Sequence, residues 1–426
     1  MKEPFKWDDY SDQAAIIRDK NLKKQMRKKE FFSLVKTFLT ALIMLPLSII
    51  AMPFTKRKEI DTRKFFTLGV DYQRESEKTL EYLDDLKVES ILVRIKLWEL
   101  NTLEELKTFL QANEDRQVTL KILQDREHID DQKLLKKDLT RIFSELQNMV
   151  DIFEMGSTIN RAKWGFFSVD EYNRFFTVAY TLKKEKFPNI QLIGSSVIDF
   201  EYHFTAHTLF NFAPYKYDGV ASLLYVDRRG APENMQLGFT LSDKIALLAS
   251  MVTLSPKTPH KLYITEINWP LKGTAPYAPT SETECVDEAT YANYMLRYYL
   301  LAFASQQVDY VSWHQLIANG YGLIDNREGL AQREAYSTYK YMLKTLKNAQ
   351  FLRLDIKRSY YILQFLIDEQ LLQIHWSLGD TTLKNEDYFE VYDKNGDSIS
   401  DETLKIGASP LYIFITQEVG EKVNCL

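Results

Sequence analysis

The chain is short of cysteine, with only Cys285 and Cys425 in 426 residues. Two cysteines cannot build a disulfide framework, and neither sits in a Cys-x-x-Cys or Cys/His spacing that would hold a metal. Cys425 stands one residue from the C-terminus, where chains fray, although a single long-range bridge stays open. No glycine-rich loop follows the first apolar strand, so nucleotide chemistry through a P-loop or dinucleotide fold has no support. Charge of one sign is also lacking. A net charge of −5 gives no electrostatic footprint for nucleic acid, and none is expected as a partner. Low-complexity segments are missing too. With 45% hydrophobic and 27% charged residues the chain reads as folded.

What the chain has in quantity is aromatic residues: 25 Tyr, 25 Phe and 6 Trp. Most are expected to fill a core. Some could line a cleft for sugars, whose C–H faces stack on aromatic rings.

The only long uncharged run is Thr37 to Phe54. As a helix it reaches roughly 27 Å, close to the thickness of a bilayer's hydrocarbon core. Residues 1–36 before it form a polar, basic arm with Lys23, Lys24, Arg27, Lys28 and Lys29, and Lys36 can snorkel at the run's start. Lys56, Arg57 and Lys58 follow it. The run is long for a signal peptide and lacks a small-x-small cleavage site. A buried core helix would have to explain the flanking charge. A membrane anchor over 37–54 fits best. The stronger basic flank favours a large domain on the non-cytoplasmic side. Pro46 also permits a kinked, monotopic insertion that would leave both ends cytoplasmic.

From residue 65 short apolar strands alternate with amphipathic helices. Strands are predicted at 65–72, 90–97, 117–124, 149–156, 190–197, 217–226, 260–269 and 308–315, with helices between, such as Thr102–Ala112 and Val169–Glu185. Eight such units over residues 65–347 predict an α/β fold, a closed (β/α)₈ barrel, rather than an open doubly wound sheet. From 348 to 426 the period falls to two, with turn signals such as Lys394-Asn395-Gly396. This predicts a small antiparallel, sandwich-like β domain.

Function in such a barrel gathers at the C-terminal ends of its strands. Strand 7 ends in Thr265-Glu266-Ile267-Asn268-Trp269, and a carboxylate there is costly unless it is paired or functional. Strand 4 ends in Glu154-Met155-Gly156-Ser157-Thr158-Ile159-Asn160, with Trp164 beyond. Strand 8 delivers Trp313 and His314. Strand 2 delivers Arg94, Lys96 and Trp98, with Glu99 after it. Strand 6 delivers Tyr225 and Asp227-Arg228-Arg229, a group suited to an anionic sugar or phosphate, or to a salt-bridged loop. Glu201, His203 and His207 follow strand 5. Their spacing could ligate a metal on a helix, but surface histidines are the plainer reading. No metal or cofactor is expected.

The order of these residues resembles the retaining (β/α)₈ glycoside hydrolases, especially the xylosidase- and endoglycosidase-like branch that carries a C-terminal β domain. The likeness spans most of residues 65–420. It implies Glu266 as the nucleophile and Arg94 as the cation that helps keep it ionised. It also implies Asn160 and Trp313 as sugar-positioning residues. By their place at the strand ends Trp98, Glu154, Trp164, Tyr225, Asp227 and His314 are further substrate-binding candidates, with Trp98 and Trp164 equally open as packing residues. Strand 4 departs from the pattern Glu-x-x-Asn-Glu-Pro-Asn: Thr158 stands where the acid/base glutamate belongs, with Ser157 and Ile159 on either side. A threonine hydroxyl is not acidic enough to protonate a leaving oxygen, and retaining hydrolysis uses two carboxyls. Glu99, Glu201, Asp227 and His314 are the alternative acids. The expectation is a membrane-anchored, glycoside hydrolase-like protein that acts on or binds a cell-surface or lipid-linked polysaccharide. The alternative is a catalytically silent barrel that binds glycan or acts as a scaffold during envelope polysaccharide assembly. No signal for an oligomeric state stands out.

Overall fold

The computed structural model describes residues 3–386 and 389–415; Cys425, and with it the Cys285–Cys425 bridge, lies outside them. Eight parallel strands close into a barrel: β1 (Phe66–Val70), β2 (Ser90–Lys96), β3 (Gln117–Leu123), β4 (Ile152–Met155), β5 (Gln191–Ile198), β6 (Gly219–Leu223), β7 (Leu262–Ile267) and β8 (Tyr310–Trp313). They pair in chain order, and β8 returns to β1. The strands are almost wholly buried because both faces are covered, by one another's inward side chains and by the outer helices. Local signals set the helix ends. Ser168, for example, accepts from the Glu171 backbone N–H at 3.2 Å and starts the helix Val169–Lys186.

Register matters most at β7. Val311 of β8 faces Ile264, and Trp313 faces Ile267. Two steps along β8 therefore meet three along β7, so β7 carries an extra residue. Such a bulge breaks the strict alternation of side chains. It lets Thr265 and Glu266 both meet groups of the barrel interior: Thr265 bonds Glu154, and Glu266 bonds Tyr225.

The C-terminal unit is a six-stranded antiparallel sheet with a two-stranded pair, Thr381–Lys384 with Thr403–Ile406, beside it. Leu404 and Ile406 of that pair pack on Val391, Leu411 and Ile413 of the sheet, which gives a second layer. In the predicted turn Gly396 adopts φ 91°, and a Cβ there would lie 2.4 Å from the Tyr341 ring, so glycine is required. Arg297 joins the unit to the barrel. It pairs with Glu233 at 3.2 Å and donates to the Ala408 carbonyl, while Trp376 donates to Glu233 at 2.8 Å.

The apolar run forms one helix, Phe31–Ala51, continued by a short 3₁₀ turn to Phe54. It begins six residues before the expected start and passes through Pro46 unbroken. Its length and mean hydropathy of 2.1 are enough to cross a membrane. It lies against the barrel beside Tyr202–Leu209, the short helix after β5, and Leu241–Leu254. Its small residues Ser33, Thr37, Ala41 and Ser48 face inward and are buried. Phe32, Phe38, Leu42, Ile43 and Ile50 point outward and are exposed.

In the sequence residues 1–36 read only as a polar, basic arm. In the structure residues 3–19 fold over the barrel mouth with a two-strand hairpin, Trp7–Asp8 with Gln13–Ala14, before the basic helix Lys20–Lys29. Contacts more than 80 residues apart in sequence hold it there, and no local pattern announces them.

Candidate active site

Glu266, at the end of β7, is the centre of the mouth. Tyr225 donates to its Oε1 at 2.8 Å, and the Lys121 ammonium lies 3.4 Å from its Oε2. Burial alone would raise this carboxyl. The cations Lys121 and Arg94 and the Tyr225 hydroxyl outweigh burial and hold it at about 2. Glu266 is therefore an ionised carboxylate at neutral pH.

Lys121 also lies 3.5 Å from Glu154, which is fully buried one layer deeper. Oε1 of Glu154 accepts from Ser196 and Thr265 at 2.8 and 2.9 Å. Burial raises its pKa in spite of Lys121. It lies beneath Thr265 and Ser196, deeper in the barrel than the substrate-binding position expected of it. Lys121 was missed in the sequence. The only signal was a lysine inside the apolar strand Gln117–Leu123.

Strand 8 brings a second correction. Trp313 points out of the barrel, not into the mouth. It is fully buried between Trp269, Tyr291 and Tyr299, and its Nε1 donates to Tyr291 at 2.8 Å. The neighbouring His314 faces the mouth, with its ring 5.3 Å from Tyr321 and nearly parallel to it. Burial and then Arg94 push His314 down to about 3, so at neutral pH it is an uncharged imidazole, whose remaining N–H is a poor acid for a leaving group.

Asn160 is also diverted. Its side chain accepts from the Ile198 N–H and donates to the Ile198 carbonyl and to Glu201, which ties the loops after β4 and β5 together. This occupies the groups expected to position a sugar. Thr158 sits in the same loop at φ 51°, unusual for a β-branched residue, buried beside Ser157. Two of the alternative acids are engaged as well. Glu201 is paired with Arg161 at 2.7 Å, and Glu99 with Lys96 at 3.0 Å. Asp227 lies beside a cavity of about 360 Å³ that reaches Tyr225, where the Arg229 guanidinium covers the Tyr225 ring at 3.5 Å. His203 and His207 lie on the helix after β5. Nδ1 of His207 meets Thr37 of the apolar helix at 2.8 Å, so that ring is part of the helix dock.

Residues 3–19 complete the mouth, although no motif in that stretch announces it. Asp12, itself buried, forms an ion pair with Arg94. Burial works against its charge, but Arg94 and then Arg74 keep its carboxyl below the usual range. Trp7 lies 5.4 Å from Trp98 and 5.6 Å from Trp164, between the loops after β2 and β4. Lys163 donates to Gln13 at 2.6 Å, and Gln13 donates to the Pro279 carbonyl at 3.1 Å.

No family model matches the sequence, and no curated protein does. Solved structures do match. A family 39 glycoside hydrolase from the gut symbiont Bacteroides cellulosilyticus WH2 superposes with a TM-score of 0.65 at 15% identity, over 84% of this chain and 82% of that one. A GH30 endoxylanase from Clostridium papyrosolvens C71 gives 0.57 at 9% identity, over 85% and 98%. A GH39 β-xylosidase from Caulobacter crescentus gives 0.55 at 12% identity, over 85% and 98%. The chain therefore has the (β/α)₈ fold of glycoside hydrolases. At these identities the likeness is one of fold.

Proposed function

We propose that this protein is a membrane-anchored, glycoside hydrolase-like barrel that engages a cell-surface or lipid-linked polysaccharide, with Glu266 as its nucleophile. The observation that carries the reading is the ionised Glu266 at the end of β7, held by Lys121 and Tyr225. A carboxylate so placed can attack an anomeric carbon or accept from a sugar hydroxyl. The apolar helix Phe31–Phe54 supports the anchor, and an anchored barrel meets glycans at the membrane surface.

Thr158 takes the acid/base position, Glu201 and Glu99 are neutralised by cations, and His314 is uncharged. Among the described residues Asp227 is the one alternative carboxylate without a cation partner, beside the cavity that reaches Tyr225. General acid catalysis contributes roughly 10²–10⁴ in rate, so without a proton from Asp227 glycosides with poor leaving groups should turn over slowly. This favours, as a second reading, a barrel that binds glycan without cutting it.

The test uses activated aryl glycosides with and without azide, on the full chain and its Thr158→Glu and Glu266→Gln variants. Cleavage that azide or Thr158→Glu accelerates, and that Glu266→Gln abolishes, supports a working nucleophile. Cleavage that survives Glu266→Gln refutes it. No cleavage by any form moves the assignment to the binding barrel.

A further inference from the structure

Most cations at the barrel mouth have an acidic partner in the barrel, while Lys163 donates to Gln13 and Arg229 to the Asn268 carbonyl. Arg74 has Asp71, Lys96 has Glu99, Arg161 has Asp199 and Glu201, and Lys121 has Glu154 and Glu266. Among the described residues Arg94 is ion-paired only with Asp12, which comes from the strap formed by residues 3–19. Without the strap the guanidinium would lose its ion-pair partner and keep only the more distant charges of Glu266 and Asp71, and breaking a buried ion pair is strongly unfavourable.

The strap reaches across the loops after β2, β4 and β7, and the Glu266 side chain within the mouth is 14% exposed. It presents two groups to the mouth: a planar ring, Trp7, between two indoles, and a carboxylate, Asp12, on a guanidinium. A pyranose ring that carries a carboxylate offers the same pair, an apolar face for the indoles and an anion for Arg94. The strap's own regular structure is two pairs of residues.

We propose that Arg94, with Trp98 and Trp164 as walls, forms a binding subsite for a carboxylate-bearing sugar, and that the strap fills it as a displaceable stand-in. This rests on the glycan reading above and adds a substrate class to it. A neutral sugar that displaced the strap would leave Arg94 unpaired, whereas an acidic one restores the pair that Asp12 makes.

The test titrates methyl glucuronide and methyl glucoside into the full chain in detergent, followed by calorimetry. Asp12→Ala should bind the glucuronide at least about tenfold tighter than the unaltered chain does, and at least about tenfold tighter than it binds the glucoside. Adding Arg94→Gln should erase that preference. Equal affinity of Asp12→Ala for the two sugars, or binding of neither, overturns the proposal. A second measurement needs no variant. The glucuronide should speed chymotryptic cleavage after Phe5 and Trp7 in the unaltered chain, and the glucoside should not; equal rates overturn it. Binding is read without turnover, so a barrel that prefers the glucuronide but cleaves nothing fails only the hydrolase reading. One that cleaves neutral aryl glycosides with no such preference fails only this proposal.

Discussion

Lys121 lies between two carboxylates, 3.4 Å from Glu266 and 3.5 Å from Glu154, inside the barrel and out of reach of water. One ammonium thus serves both, and the two carboxyls diverge. Glu266, which Arg94 and Tyr225 also support, is pulled far down, while burial pushes Glu154 up.

Replacing Lys121 by methionine should orphan both groups. The expected loss is about 3–5 kcal/mol of stability, the usual cost of breaking a buried pair. Adding Glu154→Gln should restore part of it, because one orphaned charge is then gone. Denaturant melts of the single and double variants measure this; a double variant no more stable than the single one would refute the shared-cation account.

The same substitution sets a pH prediction. The folded pKa of Glu266 is depressed to about 2. Its ionisation therefore adds stability above the unfolded value near 4.3, and that stability is lost as pH falls toward 2. If the barrel cleaves aryl glycosides, the acid limb of kcat/KM should move to higher pH in Lys121→Met. A limb that stays in place would assign it to another group.

His128 gives a second pH signature, in the short helix after β3. It sits between Asp125 at 2.6 Å and Asp138 at 3.0 Å. Burial opposes its charge, but the two carboxylates win and raise its pKa above the ordinary 6.5. The stability it supplies is then complete below pH 6.5 and fades as pH rises through the raised value. Thermal melts of His128→Gln should differ most from the unaltered chain at pH 6 and least at pH 9. The opposite trend would mean the histidine is neutral when folded.

Trp313 and His314 should separate stability from function. Trp313→Phe removes the bond to the Tyr291 hydroxyl and should cost about 1–3 kcal/mol, with KM for aryl glycosides unchanged. His314→Ala should alter KM with little loss of stability. A large KM change in Trp313→Phe would return Trp313 to the mouth.

The apolar helix offers a packing test. Ala41 is buried against the barrel, while Leu42 is 61% exposed. Ala41→Trp should cost about 1–3 kcal/mol by overpacking, and Leu42→Trp should be close to neutral. Equal melting temperatures for the two would show that the helix does not dock in this way.

Much of the barrel was legible because its physics is local. Each strand is a short apolar run, each helix has an apolar stripe, and Glu266 stands out as a charge ending such a run. The content of the mouth was less legible. One residue of register decides whether Trp313 or His314 faces inward, and a pattern of types does not carry that. Asn160 looked like a sugar ligand, yet it spends its amide on Ile198 and Glu201. The strap was invisible for a different reason. Its meaning lies in the pairing of Asp12 with Arg94, 82 residues away, and nothing in a polar, charged arm announces a distant partner.

The strap has one more consequence. It runs without a break into the Lys20–Lys29 helix, so Asp12 can leave Arg94 but cannot leave the molecule. A tethered competitor acts at an effective concentration of the order of millimolar for short linkers. A free acidic monosaccharide would have to exceed that level to enter. A polymer that engages several subsites at once would not, because each further sugar adds to its hold. The closed mouth would then select by chain length as well as by charge, admitting long acidic glycans and leaving small fragments outside.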